Sequence, residues 1–241
     1  MKIEELIYRV QSLYSKGVPS DDSRLSNRLI YNKLLTVRSR LISQENKKKQ
    51  RISRWNYQTI TCLELIEVAG HDCPCLPPIG CNVLRSKYKL PKPINGLNGH
   101  IIESVMTVDR SIKLSETTPT AVKYQSGNKY TNNSLTYYIH NDYLYINTPT
   151  KIRLLTLTGL FEDPIEVEKF SNYCKELECK DCNKEDCIDY LSQEFPIEND
   201  MIDALIELSL QELIQIFRQG NNDLYNDSRE SGGSVKQGGN E

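Results

Sequence analysis

The chain has 241 residues, 38% of them hydrophobic and 26% charged, with a formal net charge of −2. That is enough apolar material for one packed domain, or for one core carrying a substantial insertion, and it excludes a polyanion binder that works by overall charge. The charge is unevenly placed, because residues 1–54 hold 13 Lys/Arg against 5 Asp/Glu while residues 159–214 hold 4 Lys against 16 Asp/Glu.

Residues 3–14 read as a short amphipathic helix, with Ile3, Leu6, Ile7, Val10 and Leu13 on one stripe. Gly17-Val18-Pro19 ends it. Ser20-Asp21-Asp22-Ser23 then offers an N-cap and two acids for a first turn, which predicts a long helix from about Asp21 to about Lys48. Its apolar face is Leu25, Leu29, Leu34, Val37 and Leu41, widened by Ile30, Leu35 and Ile42. Arg24, Arg28, Lys33, Arg38 and Arg40 fall on its other sides. The basic run Lys47-Lys48-Lys49-Gln50-Arg51 closes it, since cations favour a helix C-terminus.

After Trp55 the pattern changes. Tyr57–Val68 is β-branched and partly alternating, as in a strand. His71–Pro93, with Cys73-Pro74-Cys75-Leu76-Pro77-Pro78, is too rich in Pro, Cys and Gly for regular helix. Short strands are predicted at Ile101–Thr107, Ser111–Leu114, Tyr137–His140, Tyr143–Asn147 and Ile152–Leu157, with a polar loop over Asn128–Ser134. Asn141-Asp142 lies between two Tyr-rich runs and reads as a two-residue hairpin turn. A final helix opens around Glu198-Asn199-Asp200 and carries Met201, Ile202, Leu205, Leu208 and Ile216 along one face through about Phe217. The expected fold class is therefore α+β. N- and C-terminal helices (1–56 and 195–226) pack as a helical body around a β-rich insertion (57–165), followed by an acidic Cys-rich segment (166–194). The Gly/Ser-rich tail (227–241) is expected to be disordered.

Met1-Lys2-Ile3-Glu4-Glu5 lacks a signal pattern and no apolar run approaches the length of a membrane span, so synthesis in a cytoplasm and no membrane partner are expected. The eight cysteines are then expected as reduced thiols or metal ligands. Cys174, Cys179, Cys182 and Cys187 put four thiolates within fourteen residues, enough to close a tetrahedral zinc site, the one cofactor on offer. The alternative is a set of free or partly buried thiols in an acidic loop. His71, Cys73, Cys75 and Cys81 form a weaker set, because adjacent ligands in a Cys-Pro-Cys run strain tetrahedral geometry. Cys62 falls in the strand pattern, where packing is its expected role.

Catalysis finds little support. There is no Walker loop, no GxGxxG after a strand, no GxSxG and no HExxH, and His71, His100 and His140 stand in unrelated contexts. Lys47, Lys48, Lys49, Arg51 and Arg54 could meet the phosphates of a nucleic acid or the acidic face of another subunit. A solvated basic face is the plainer alternative. A zinc-containing nucleic-acid-binding protein is the alternative to a structural assembly protein. Fourteen tyrosines against 4 Phe and 1 Trp suit half-buried surfaces and subunit contacts, and equally suit ordinary strands.

Several phrases carry a resemblance. Tyr14-Ser15-Lys16-Gly17-Val18-Pro19-Ser20-Asp21-Asp22-Ser23-Arg24-Leu25-Ser26 and Tyr31-Asn32-Lys33-Leu34-Leu35-Thr36-Val37-Arg38-Ser39-Arg40-Leu41 resemble a virion structural protein of crAss-like phages. Trp55-Asn56-Tyr57-Gln58-Thr59, Leu84-Arg85-Ser86-Lys87-Tyr88-Lys89-Leu90-Pro91-Lys92-Pro93 and Thr158-Gly159-Leu160-Phe161-Glu162-Asp163-Pro164 extend it over most of the chain. The layout of terminal helices around a β-rich middle is also similar to podovirus head-to-tail adaptors, the ring proteins. The resemblance implies a virion protein of a short-tailed particle at the portal vertex, and the missing motifs add the expectation that it is not an enzyme. Twelve copies would form a ring joining the portal to other tail ring or tail proteins, around a channel where non-specific contact with packaged DNA is expected. It implies no site residue.

Overall fold

The computed structural model describes residues 1–17, 25–48, 52–69, 82–96, 99–125, 128–131, 134–147, 152–168, 170 and 190–230. They fall into two units. One comprises Met1–Leu41, Leu191–Glu194 and Asn199–Glu241, the other Ile42–Tyr190 and Phe195–Glu198.

The first unit is helical. Helix α1 (Ile3–Tyr14) buries Ile3, Leu6, Ile7 and Val10 and carries Glu4 and Glu5 in its first turn, where the helix dipole favours acids. The Ile3 amide donates to the Gln193 carbonyl at 2.9 Å, and Lys2 bridges Glu194, so residues 193–194 are pinned to the start of the chain. At the other end the Gly17 amide reaches back to Ser12 O at 2.8 Å with Gly17 at φ 85°, a region that favours glycine. Leu13 is exposed, while Tyr14 is half-buried with its ring 6.0 Å from that of Phe217. Helix α2 (Asn27–Lys47) starts later than the Asp21 expected from sequence. Its cap is Ser26, whose Oγ accepts the Leu29 amide at 3.2 Å. Leu25, Ile30, Leu34 and Val37 are buried as expected, but so is Arg38, assigned from sequence to the polar side. Arg38 is partnered there, as a buried charge must be.

One further helix belongs to this unit and, in chain order, will be α4: Asn199–Glu230. It opens at the expected acidic cap and runs past Phe217. Met201, Ile202, Leu205, Ile206 and Leu213 form its buried face, and α1 packs against it.

The second unit is a closed seven-stranded barrel, where the sequence predicts only a β-rich insertion. Its strands are β1 (Gln58–Ala69), β2 (Asn82–Ser86), β5 (Ile102–Thr107), β6 (Lys113–Glu116), β7 (Thr136–His140), β8 (Tyr143–Asn147) and β9 (Leu154–Gly159). A separate two-stranded pair is formed by β3 (Asn95–Gly96) and β4 (Gly99–His100). The barrel order is β1-β2-β8-β7-β6-β5-β9, and β1 closes it by serving two neighbours. Gln58–Glu64 pair with β9 and Leu65–Ala69 with β2, with a bulge between Ile60 and Leu63. Strands β6 and β7 are parallel, which demands a crossover. That connection carries helix α3 (Pro119–Gln125), with Pro at its first position and Thr118 Oγ1 accepting the Ala121 amide.

Alternation fills the barrel. Ile60, Leu63, Val105, Leu114, Tyr137, Leu144, Leu155 and Leu157 share one core. Tyr138 and Tyr145, register partners on the opposite face, stack at 5.2 Å and pack with Val122 of α3. The expected Asn141-Asp142 turn is present, with both residues at positive φ (50° and 66°), the two-residue hairpin geometry. Ile42 of α2 joins Ile94 and Leu160 in a third cluster, so the last turns of α2 belong to this unit.

Strand β2 lies inside the stretch read as unable to form regular helix, where β1 and β8 hold it on both sides. One expectation is corrected here: Cys62 is disulfide-bonded, neither a reduced thiol nor a packing thiol. Every other cysteine lies outside the described residues.

Candidate assembly interface

The proposed metal ligands Cys174, Cys179, Cys182 and Cys187 lie outside the described residues, as do His71, Cys73, Cys75 and Cys81. Among the described residues no group of three His, Cys, Asp or Glu is placed to hold a metal ion. His100 is exposed in β4 with its Nδ1 2.8 Å from Asn95 Oδ1. His140 ends β7 with a buried Nε2 that lacks a hydrogen-bond partner among the described residues. The two stand on different elements and form no catalytic pair.

Of the basic contact residues, Lys47 and Lys48 are exposed at the C-terminal end of α2 and Arg54 is exposed just beyond; Lys49 and Arg51 lie outside the described residues. Nearby, Glu45 has its carboxyl pushed up by burial and by the Glu198 charge, partly offset by Lys48. The two charged sections are not simply separate faces. Within one chain, Glu212 of α4 takes both Arg40 (2.7 Å) and Lys33 (3.3 Å) of α2.

Two features that the sequence pattern does not single out place large apolar side chains in solvent. The first is the 3₁₀ turn Arg54–Asn56. Asn56 is fully buried and its Oδ1 accepts the Glu198 amide at 2.8 Å. The Asn56 and Tyr57 amides close the turn on Ser53 O and Arg54 O, both at 3.2 Å. With Asn56 drawn inward, the intervening Trp55 is turned out and is 76% exposed. Tryptophan and arginine are among the residues enriched where binding energy concentrates in interfaces.

The second is a groove of about 450 Å³ between α1 and α4. Tyr8 (66% exposed) and Leu13 (55% exposed) form one wall, Ile206 and Leu210 the other. Arg9 stands on the α1 rim, Asp203 and Glu207 on the α4 rim. Neither acid has an ion-pair partner among the described residues. The sequence signal was present but faint: Tyr8 and Leu13 fall on the edges of the apolar stripe of α1, so they border a cleft instead of filling a core.

No described helix is long and apolar enough to cross a membrane. An open groove with apolar walls is a common feature of binding surfaces. Comparison with known proteins places the chain more closely. The family model for phage tail ring protein 2 matches residues 5–232. Ring protein 2 of Bacteroides phage crAss001 is 31% identical over 222 residues, which cover 88% of this chain and 90% of that relative. The chain belongs to the phage tail ring protein 2 family, a family of structural phage proteins.

Proposed function

We propose that this chain is a head-to-tail connector of a short-tailed phage, without catalytic activity. Copies of it, twelve in number, close into a ring beneath the portal, join the portal to the tail and surround the DNA channel. The observation that carries the reading is family membership over nearly the whole chain, residues 5–232. The fold is compatible with it: a subunit that presents different surfaces to its two neighbours forms heterologous contacts, and such contacts close into a ring when the rotation permits. Lys47, Lys48, Lys49, Arg51 and Arg54 serve as subunit contacts in this reading, with non-specific contact to packaged DNA as their secondary role. The protein is made in the host cytoplasm and resides in the virion, where the portal and the other tail ring or tail proteins are its partners.

Mass photometry of the purified chain with purified portal tests this. The expected result is one discrete high-mass species formed only when portal is added. Monomer alone in the presence of portal at micromolar concentration contradicts the reading.

A further inference from the structure

We infer that Trp55 of one copy docks into the α1–α4 groove of the next, with Arg54 beside it meeting the acids Asp203 and Glu207. This rests on the ring reading and names the contact that makes the ring.

Three observations converge. Trp55 is the chain's single tryptophan and stands 76% exposed on a turn fixed by buried Asn56, so its position costs little further ordering on binding. The groove is open and its walls are apolar, and its volume of about 450 Å³ accommodates an indole. Charge adds to this: exposed Arg54 adjoins Trp55, and along the groove Asp203 and Glu207 outnumber Arg9. Asp203 and Glu207 rim the groove without an ion-pair partner among the described residues. Burying one tryptophan removes on the order of 150–250 Å², well short of the ~800 Å² per partner of a stable complex. One such contact alone is therefore weak, and it becomes effective when a template gathers many copies. When it is not reciprocated between two copies, such a contact is heterologous, the type that propagates around a ring.

A charge swap and a crosslink test this in the full chain with portal. Trp55→Ala is expected to reduce ring yield on the order of thirtyfold, the size of effect that defines a central contact residue. Glu207→Lys is expected to reduce it as well, and the double variant Arg54→Glu/Glu207→Lys to restore it, since every interface then carries the reversed pair. These positions are exposed, so unchanged thermal unfolding of the free variants shows that folding is intact. With p-benzoylphenylalanine in place of Trp55, irradiated rings mixed from ¹⁴N and ¹⁵N copies should give crosslinks between copies that land in residues 8–13 or 203–210. Rings that form normally with Trp55→Ala, or whose crosslinks stay within one copy or fall elsewhere, overturn this inference and leave the ring reading standing. Wild-type protein that forms no ring with portal brings down both.

Discussion

Arg40 Nη1 lies 2.7 Å from Glu212 Oε1, tying the middle of α2 to α4. Lys33 reaches the other oxygen of the same carboxylate at 3.3 Å. The basic and acidic sections that stand apart in the sequence are thus partly paired inside one chain. The charges left for partners are fewer and more local than the raw totals imply. All three side chains keep contact with solvent, so each pair is worth roughly 0.2–1 kcal/mol. Glu212→Gln should lower the unfolding midpoint by about 2–4 °C. A double-mutant cycle on Arg40→Ala and Glu212→Ala should give a coupling below about 1 kcal/mol that shrinks in high salt. A coupling several times larger would mean that the pair is shielded from water.

Leu157 is fully buried on β9 and faces Ile60 of β1 and Val105 of β5 in register. It sits where the barrel closes. Leu157→Ala should cost about 2–5 kcal/mol, from lost burial and the cavity left behind. Thr158→Ala, which removes a 3.1 Å contact with Thr59 Oγ1 among only part-buried groups, should cost far less, roughly 1 kcal/mol. Equal losses in urea unfolding would argue against the closed barrel.

Gly96 of β3 has no room for a side chain. A Cβ there would run into the Asn46 Nδ2 group and come within 2.9 Å of Ile101 Cγ1. Gly96→Ala should therefore destabilise by about 1–3 kcal/mol. Adding Asn46→Ala should recover part of the loss, because the contact with Ile101 remains. A neutral Gly96→Ala would show that this end of α2 and the β3–β4 pair are looser than described.

The Tyr137 phenol is pushed up from its ordinary 10.0 to about 12, first by burial in the barrel and then by the charge of Glu116, its register partner on β6. The folded state then holds this proton in a range where the unfolded chain has released it. The associated stability is present below pH 10 and is lost as pH rises from 10 towards 12. Across that window wild type should lose stability more steeply than Tyr137→Phe. Parallel midpoint-against-pH curves for the two would show that the phenol is not buried.

The parts of this fold written in local pattern were legible, and those set by partners were not. Ile3, Leu6, Ile7 and Val10 announce α1, and Asn141-Asp142 announces the hairpin, because each depends on residues close in sequence. The start of α2 was misplaced because Ser20 and Ser26 are equally good caps, and only Ser26 is bonded to the Leu29 amide among the described residues. Strands β6 and β9 begin two residues later than expected, since pairing, not propensity, sets strand ends. Helix α3 was missed although Thr118-Pro119 is a proper cap and first residue; seven residues between strands offer too little periodicity to see. The groove was harder still. Tyr8 and Leu13 become a site only when α4 lies beside them, a relation between residues nearly 200 positions apart. Trp55 looked like a boundary marker until the burial of Asn56 turned it outward.

The central claim is the ring itself, and a reconstruction of the virion's portal vertex tests it most directly. The account predicts this chain as a closed twelve-fold ring beneath the portal, encircling the DNA channel and touching the tail on its far side. Density for the chain elsewhere in the particle, or as isolated copies without ring closure, would contradict it.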